Sequence, residues 1–443
     1  MTPNAHDISD IGHAVDVADV ADVIEVPGRR AQEFSSADPV EGLGESLRTL
    51  PRARGSARLQ FTSGNKLRLF RSGDEYFEAL AERIRAATTS VVVEVYIFSD
   101  DDAGAKVSAA LIEAAQRGIP VRVITDGVGT EHNLRFFADW RTHGVEHRIF
   151  NPHIFGRFGF ARTHRKIASI DGEISFVGGI NIVDDLENDG VRLDAPRWDF
   201  AVEIIGPVAA EVFAAFELQW RRLDPNPVTS SLERTIQFVR RSMLAPVEAS
   251  ARASQVAFVA RDNLNRRRTI ERAYLYAIGR AREEVVLANP YFVPGRKLRR
   301  ALVEAAERGV RVRLLIGRKE FRVLDYAVPS LYGMLMSAGA QIAEYDKTML
   351  HGKVAVIDGS WATVGSSNLD ALSLVLNHEA NVVIVNDPVV ADLRTAILTA
   401  FNESPKIDPQ RFAARPFPVR LLNWFTYNGY RLVMKMLTIG EYD

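Results

Sequence analysis

Two histidines in this chain share one downstream pattern. His164-Arg-Lys166-Ile-Ala-Ser-Ile-Asp171 precedes Gly178-Gly179-Ile-Asn181, and His351-Gly-Lys353-Val-Ala-Val-Ile-Asp358 precedes Gly365-Ser366-Ser367-Asn368. In both, Lys follows His by two positions, Asp by seven and Asn by seventeen. A chance His-x-Lys-x-x-x-x-Asp is expected in about one chain per hundred of this composition, so one match is weak and two in corresponding places are strong. Alternate residues of an extended strand point to one face, so His164 and Lys166 project together, as do His351 and Lys353. If the two segments face each other about a pseudo-twofold axis, two imidazoles, two ammonium groups and two Asn amides converge on one anion. A phosphodiester suits such a site. One imidazole attacks phosphorus, and the other protonates the departing alkoxide and then deprotonates an incoming alcohol. The lysines and the amides of Asn181 and Asn368 stabilise charge on the nonbridging oxygens, the work that metal ions do in two-metal phosphodiesterases. This chemistry calls for no metal and no cofactor.

The elements that must position these residues are themselves duplicated. Leu111-Ile-Glu-Ala-Ala-Gln-Arg-Gly-Ile-Pro-Val-Arg-Val-Ile is answered by Leu302-Val-Glu-Ala-Ala-Glu-Arg-Gly-Val-Arg-Val-Arg-Leu-Leu-Ile, a domain-sized repeat. Around it, β-rich runs alternate with helical ones. Leu59-Gln-Phe-Thr and Lys66-Leu-Arg-Leu-Phe flank Ser63-Gly-Asn, a helix follows Asp74, and strand 91–98 leads through helix 103–117 to strand 120–125. The fold class is therefore α/β, with two pseudo-twofold-related lobes, each a mixed, mostly parallel sheet flanked by helices, and the site at the lobe interface. The expected divisions are an acidic, disordered tail over 1–58, a first lobe over 59–228, a helical connector over 229–260, a second lobe over 261–405 and a basic amphipathic segment over 406–443. Helices are expected near 208–222 and 230–243.

Composition narrows the function. The chain has 443 residues, 47% hydrophobic and 25% charged, an ordinary globular make-up. Fifty-five basic against 56 acidic residues leave a formal charge of -1, so no global positive field draws the molecule onto nucleic acid. The absence of Cys removes thiolate nucleophiles and Cys-ligated metal. Residues 1–28 carry six acidic side chains and no Lys or Arg, unlike a signal peptide, and no apolar run reaches the roughly 18 residues of a membrane span.

The paired motifs resemble the phospholipase D superfamily, and the fuller pattern is similar to bacterial cardiolipin synthases. The likeness extends over about residues 59–404 and includes Asn289-Pro-Tyr-Phe-Val-Pro294, Phe150-Asn-Pro152 and Ile205-Gly-Pro207. It implies a phosphohistidine intermediate, with His164 as nucleophile and His351 as general acid and base. It also implies that carboxylates past each motif orient the imidazoles; Asp199 and Glu379 are suitably spaced, with their pairing open. The implied reaction moves a phosphatidyl group from one phosphatidylglycerol to another and releases glycerol. The implied partners are a phospholipid substrate and the membrane surface; better-known synthases of this family carry N-terminal membrane spans, from which this sequence departs, so the expected location is peripheral, at the cytoplasmic face. Rival readings are a hydrolytic phospholipase D, a nuclease, and an inactive lipid-binding scaffold.

Other features receive lesser readings. Asp171 and Asp358 lie on the opposite strand face from Lys or beyond the strand end, and are expected to support packing or a turn. His132, His143, His147, His153 and His378 have no repeated partner and are assigned no role. The runs Arg266-Arg-Arg268 and Arg296-Lys-Leu-Arg-Arg300 are either solvated helix faces or contacts to anionic headgroups. Residues 419–439 form an amphipathic, basic helix that either lies in a bilayer interface or packs on protein. Phe155, Phe158 and Phe160, just before His164, form a lipid-facing rim or a core edge.

Overall fold

The computed structural model describes residues 59–131, 135–153, 158–188, 191–224, 254–262, 268–318, 322–370 and 372–437. The tail over 1–58, the expected helix at 230–243, His132, Phe155 and Arg266 lie outside these residues.

The first lobe begins with β1 (Lys66–Phe70), α1 (Gly73–Arg85), β2 (Val91–Val95), α2 (Asp102–Gln116), β3 (Val121–Asp126), α3 (Arg135–Thr142) and β4 (Glu146–Phe150). It continues through β5 (Ile167–Ile170), β6 (Ile174–Gly178), the small hairpin β7 (Glu187–Asn188) and β8 (Val191–Arg192), β9 (Ala201–Ile205) and α4 (Pro207–Arg222). The second lobe runs β10 (Gln255–Arg261), α5 (Thr269–Arg280), β11 (Glu284–Asn289), α6 (Arg296–Glu307), β12 (Arg311–Gly317), α7 (Arg322–Ala327), α8 (Pro329–Ser337) and β13 (Gln341–Tyr345). It ends with β14 (Lys353–Ile357), β15 (Trp361–Gly365), β16 (Glu379–Val385), α9 (Pro388–Glu403), α10 (Pro409–Ala413) and α11 (Phe417–Leu437).

Each lobe builds one seven-stranded sheet, and the two strand orders correspond: β1-β9-β6-β5-β2-β3-β4 and β10-β16-β15-β14-β11-β12-β13. The expectation of mostly parallel sheets is corrected. Only β2-β3-β4 and β11-β12-β13 pair in parallel, while the other four ladders of each sheet are antiparallel. The reason is local. The βαβ crossovers supply only the parallel triplet, whereas the strand after each His-x-Lys turns back through a tight hairpin onto its neighbour. In the run at 59–62, Thr62 bridges to Val256 of the other sheet, with N–H···O distances of 2.8 and 3.0 Å.

The sheets face one another. Strand β6 lies against β15 and β16. Between the lobes one core gathers Val92, Ile167 and Val202 with Val286, Val354 and Val382. Helices α4 and α9 enter the same core through Phe216, Trp220, Leu393 and Phe401. On its outer face the first sheet is covered by α1, α2 and α3. With both faces covered, β2, β14, β15 and β16 are buried along their whole length, which is why they read as apolar runs rather than alternations. Each Val or Ile so enclosed contributes about 1.5–3 kcal/mol. The result is a rigid seam along which the two His-x-Lys segments meet.

Candidate active site

His164 and Lys166 lie in extended chain leading into β5, and His351 leads into β14 at Lys353. Both strands are central and run antiparallel to β2 or β11, so each histidine stands at the sheet edge where those parallel strands end. Backbone pairing across the lobes holds the two segments in place. The His164 N–H donates to the His378 carbonyl at 2.9 Å, and those of His351 and Gly352 donate to the Trp198 carbonyl at 2.9 and 2.8 Å. Trp198 and His378 immediately precede the two carboxylates Asp199 and Glu379, so the same crossing delivers both.

The pairing of carboxylates is crosswise. His164 Nδ1 meets Glu379 Oε2 of the second lobe at 3.1 Å, and His351 Nδ1 meets Asp199 Oδ2 of the first at 2.5 Å. A carboxylate accepts from the protonated nitrogen, so Nδ1–H is fixed and Nε2 carries the lone pair on both rings. Burial lowers both imidazole pKa values, His351 to about 3, and the neighbouring lysines add to the effect. Burial alone would raise the carboxylates, but for Asp199 the Lys353 charge and the His351 bond outweigh it. For Glu379, His164 and Lys166 do the same, and both carboxylates remain low.

The lysines are buried beside the rings. Lys166 Nζ donates to the His164 carbonyl at 2.8 Å, and Lys353 Nζ donates to that of His351. Burial, and then repulsion from Lys353, depress the Lys166 ammonium well below its ordinary value. An anion bound between the two lysines would relieve this repulsion. Asn181 accepts from the Ile97 N–H at 3.2 Å, leaving its amide nitrogen as a donor. Asn368 is buried and its Oδ1 has no hydrogen-bond partner. A cavity of about 510 Å³ opens beside His351 and Asn181, with Asp100, Asp185 and Arg197 among its walls. Among the described residues no group of three or more His, Asp or Glu is arranged to hold a metal ion.

Asp171 and Asp358 stand apart from the cluster. Both adopt left-handed backbone, with φ of 57° and 49°, in the turn after β5 or β14. Asp171 accepts from the N–H groups of Thr88, Thr89 and Ser90 at 2.7–3.1 Å. Asp358 accepts from those of Arg282, Glu283 and Glu284 at 2.9–3.0 Å. Each ties the hairpin to the chain entering β2 or β11, which sets the register of the strand carrying Lys. The other described histidines are distributed through the fold: His143 half-buried, His153 exposed, His147 against Thr125, and His378 buried against Gln219.

Several contacts escaped the sequence reading. Ser366 donates its hydroxyl to Glu379, and its carbonyl accepts from His164 Nδ1 at 3.0 Å. Behind His164 lies a buried ionic layer, in which Glu94 faces Arg165 at 3.7 Å and accepts from the Thr163 hydroxyl. Asp126 accepts from the Thr163 N–H at 2.9 Å and faces Arg162 at 3.6 Å. The Tyr96 ring packs edge-on against His164, with centroids 4.9 Å apart. The signal for two of these was visible, because Ser366 stands where the first motif has Gly179, and Arg165 stands where the second has Gly352.

Two like sheets packed face to face, with a duplicated His-x-Lys pair buried between them, define a two-lobed phospholipase D-type enzyme. The family model described as cardiolipin synthase, PLD-like domain, matches residues 80–187 and 274–399, and the chain belongs to this family. It is 38% identical over 333 residues to cardiolipin synthase B of Escherichia coli, covering 74% of this chain and 78% of that protein. It is 31% identical over 365 residues to cardiolipin synthase 1 of Bacillus cereus, covering 81% and 70%. Among solved structures the fold is similar to phosphatidylserine synthase of Haemophilus influenzae, with a TM-score of 0.64 at 14% identity over 91% of this chain and all of that one. It is also similar to polyphosphate kinase of Porphyromonas gingivalis, with a TM-score of 0.51 at 16% identity over 83% and 53%.

Proposed function

We propose that this chain is a cardiolipin synthase that transfers a phosphatidyl group between two phosphatidylglycerol molecules. The observation that carries the reading is the crosswise clamp: each imidazole is oriented by the opposite lobe's carboxylate, with two buried ammonium groups beside the rings. The relatives' names supply the lipid.

In the first step Nε2 of His164 attacks phosphorus and the bond to the glycerol oxygen breaks, His351 giving that oxygen its proton. In the second, His351 takes the proton from the free hydroxyl of another phosphatidylglycerol. The resulting alkoxide attacks phosphorus, the P–N bond breaks, and cardiolipin leaves. Two phosphatidylglycerols thus become one cardiolipin and one glycerol, with no net change in protonation. Lys166, Lys353, Asn181 and Asn368 hold the nonbridging oxygens, where charge grows in both transition states. Asp199 and Glu379 stabilise the imidazolium that each ring becomes in turn. Burial, and then the neighbouring lysines, keep the imidazoles neutral in the empty site; the phosphodiester anion offsets the lysine repulsion and so favours the protonated form of His351 when substrate is bound.

The reading places the enzyme at a membrane surface, where a phospholipid substrate resides, and we propose peripheral attachment at the cytoplasmic face. No helix among the described residues is long and apolar enough to cross a membrane. The relatives' names favour a phospholipid partner, and with a net charge of -1 no global positive field draws the chain onto nucleic acid. The test is purified protein with phosphatidylglycerol vesicles and products read by mass spectrometry. Cardiolipin plus glycerol is the expected result; phosphatidic acid instead makes the enzyme a hydrolase, and no turnover overturns the reading.

A further inference from the structure

Helix α11 is attached to the second lobe through the polar groups of Asn423 and Tyr427. Asn423, Tyr427 and Met434 are its buried residues, one face at helical spacing. Asn423 donates to the Tyr326 carbonyl of α7 at 2.8 Å and accepts from Arg415 at 3.1 Å. The Tyr427 hydroxyl pairs with Arg299 of α6, which also donates to the Pro294 carbonyl at 3.2 Å. Directly opposite this face stand Leu421, Phe425, Leu432 and Met436, exposed to between 39% and 64%. A surface helix of a soluble protein ordinarily turns its apolar face inward. This one is turned outward.

Three further observations bear on what meets that face. The helix carries no Asp or Glu, while Arg420, Arg431 and Lys435 flank the apolar face on one side. Its midpoint is fixed to α7 and to the first turn of α6, both of which leave the second sheet at the ends of β12 and β11, the edge at which His351 stands. The first lobe, moreover, shows exposed apolar residues in loops at that edge. Val128 follows β3, Phe160 lies between β4 and His164, and Val191 lies in the hairpin between β6 and β9. Tyr326 of α7 adds to them. Exposed apolar residues of both lobes thus stand at the edge where the site opens.

We propose that α11 is an interfacial helix that inserts its outward face into the headgroup and acyl boundary of an anionic bilayer, docking the molecule with the mouth of the site toward the lipid. This rests on the phospholipid reading above and adds the surface that carries it. Basic residues flanking an apolar face match an interface rich in phosphatidylglycerol, whose phosphates the cations meet while Phe425 and Leu432 leave water. A second copy of the chain fits less well. A twofold pairing of this face brings the like-charged rows Arg420, Arg431 and Lys435 of two helices together.

The test compares full-length wild type with the double variant Phe425→Asp and Leu432→Asp, both at exposed sites away from the catalytic residues. Flotation with vesicles of pure phosphatidylglycerol or pure phosphatidylcholine reads binding. Turnover of a short-chain phosphatidylglycerol below its micelle concentration reads catalysis without an interface. The expected result is about a tenfold or greater loss of binding to phosphatidylglycerol vesicles in the variant, weak binding of either protein to phosphatidylcholine, and turnover of the monomeric lipid within about twofold of wild type. Equal vesicle binding by the two proteins overturns the proposal. So does a wild-type dimer by light scattering that the variant converts to monomer with vesicle binding unchanged, which makes the face a contact between copies. Loss of all turnover in wild type alongside the expected flotation pattern sinks the enzymatic reading and leaves the docking surface standing.

Discussion

The two halves of the site are copies by topology and unlike by surroundings. His351 is held by Asp199 at 2.5 Å, with Trp198 and Phe200 packed edge to face behind it. Its motif has Gly352 because a Cβ there meets the Trp198 ring at 2.9 Å. His164 is held by the longer Glu379, which also receives Ser366, and it backs onto Glu94, Arg165, Asp126 and Arg162. At the position matching Ser366 the first lobe has Gly179, where a Cβ falls 2.2 Å from Asp199 Oδ1. One carboxylate is thus wedged by backbone and aromatic rings, and the other is suspended in a polar network. The two imidazoles are thus equivalent by topology and unequal in their surroundings, which is what the two proposed steps would require.

The largest expected effects break the pair outright. His164→Ala and His351→Ala should each cut turnover by about 10⁴-fold. A p-nitrophenyl ester of phosphatidic acid separates their roles, because its leaving group needs no proton. With it His351→Ala should release a stoichiometric burst and remain phosphatidylated, while His164→Ala releases nothing; the reverse pattern exchanges nucleophile and acid.

The carboxylates come next. Asp199→Asn should cost about 10³-fold in kcat with KM little changed, and Glu379→Gln about 10²-fold, because Ser366 still bonds the side chain at that position. Gly179→Ala should approach the Asp199→Asn loss, since its methyl group displaces Asp199 from His351. Equal losses for the two carboxylates would remove the distinction between a wedged and a suspended acid.

Asp171 and Asp358 are expected to act on stability rather than chemistry. Removing three charge-assisted backbone bonds by Asp171→Ala or Asp358→Ala should cost about 2–4 kcal/mol in chemical denaturation while leaving kcat per folded molecule within about twofold. Their left-handed backbone tolerates Asn, so Asp171→Asn should recover part of the loss.

Much of this arrangement was legible in the chain. The motif spacing could be read because His-x-Lys obeys strand alternation and the lobe repeats with its loops intact. Asp199 and Glu379 were legible as residues, but their crossing was not. It depends on the Trp198 and His378 carbonyls pairing with the opposite lobe's histidine, a contact between residues 153 or more positions apart for one pair and over 200 for the other. The sheets were misread as mostly parallel because periodicity reports βαβ units clearly and is silent on how a hairpin adds to their edge. Helix α11 was legible from its 3.6-residue period, whereas the face it buries was not. Hydrophobic pattern assigns the apolar side to the core, and here Asn423 and Tyr427 reach specific partners that only the folded lobe supplies.

The smallest effect expected distinguishes the rings by acid. A buried imidazole whose pKa falls below its unfolded value binds fewer protons folded than unfolded, so stability is full above pH 6.5 and is lost as pH falls toward the folded value. For His351 that window runs from 6.5 to about 3. His164, His147 and His378 are also lowered by burial and form a common background. Asp199, already held below its ordinary value, adds its own loss only below pH 3.8. Between pH 6.5 and 4, therefore, His351→Gln, which keeps a donor for Asp199 but does not titrate, should show a Tm that declines by a few degrees less than wild type. A parallel decline in the two proteins would mean that His351 enters the fold already protonated, and the aromatic wall behind it would then have to be sheltering an ion pair rather than a neutral base.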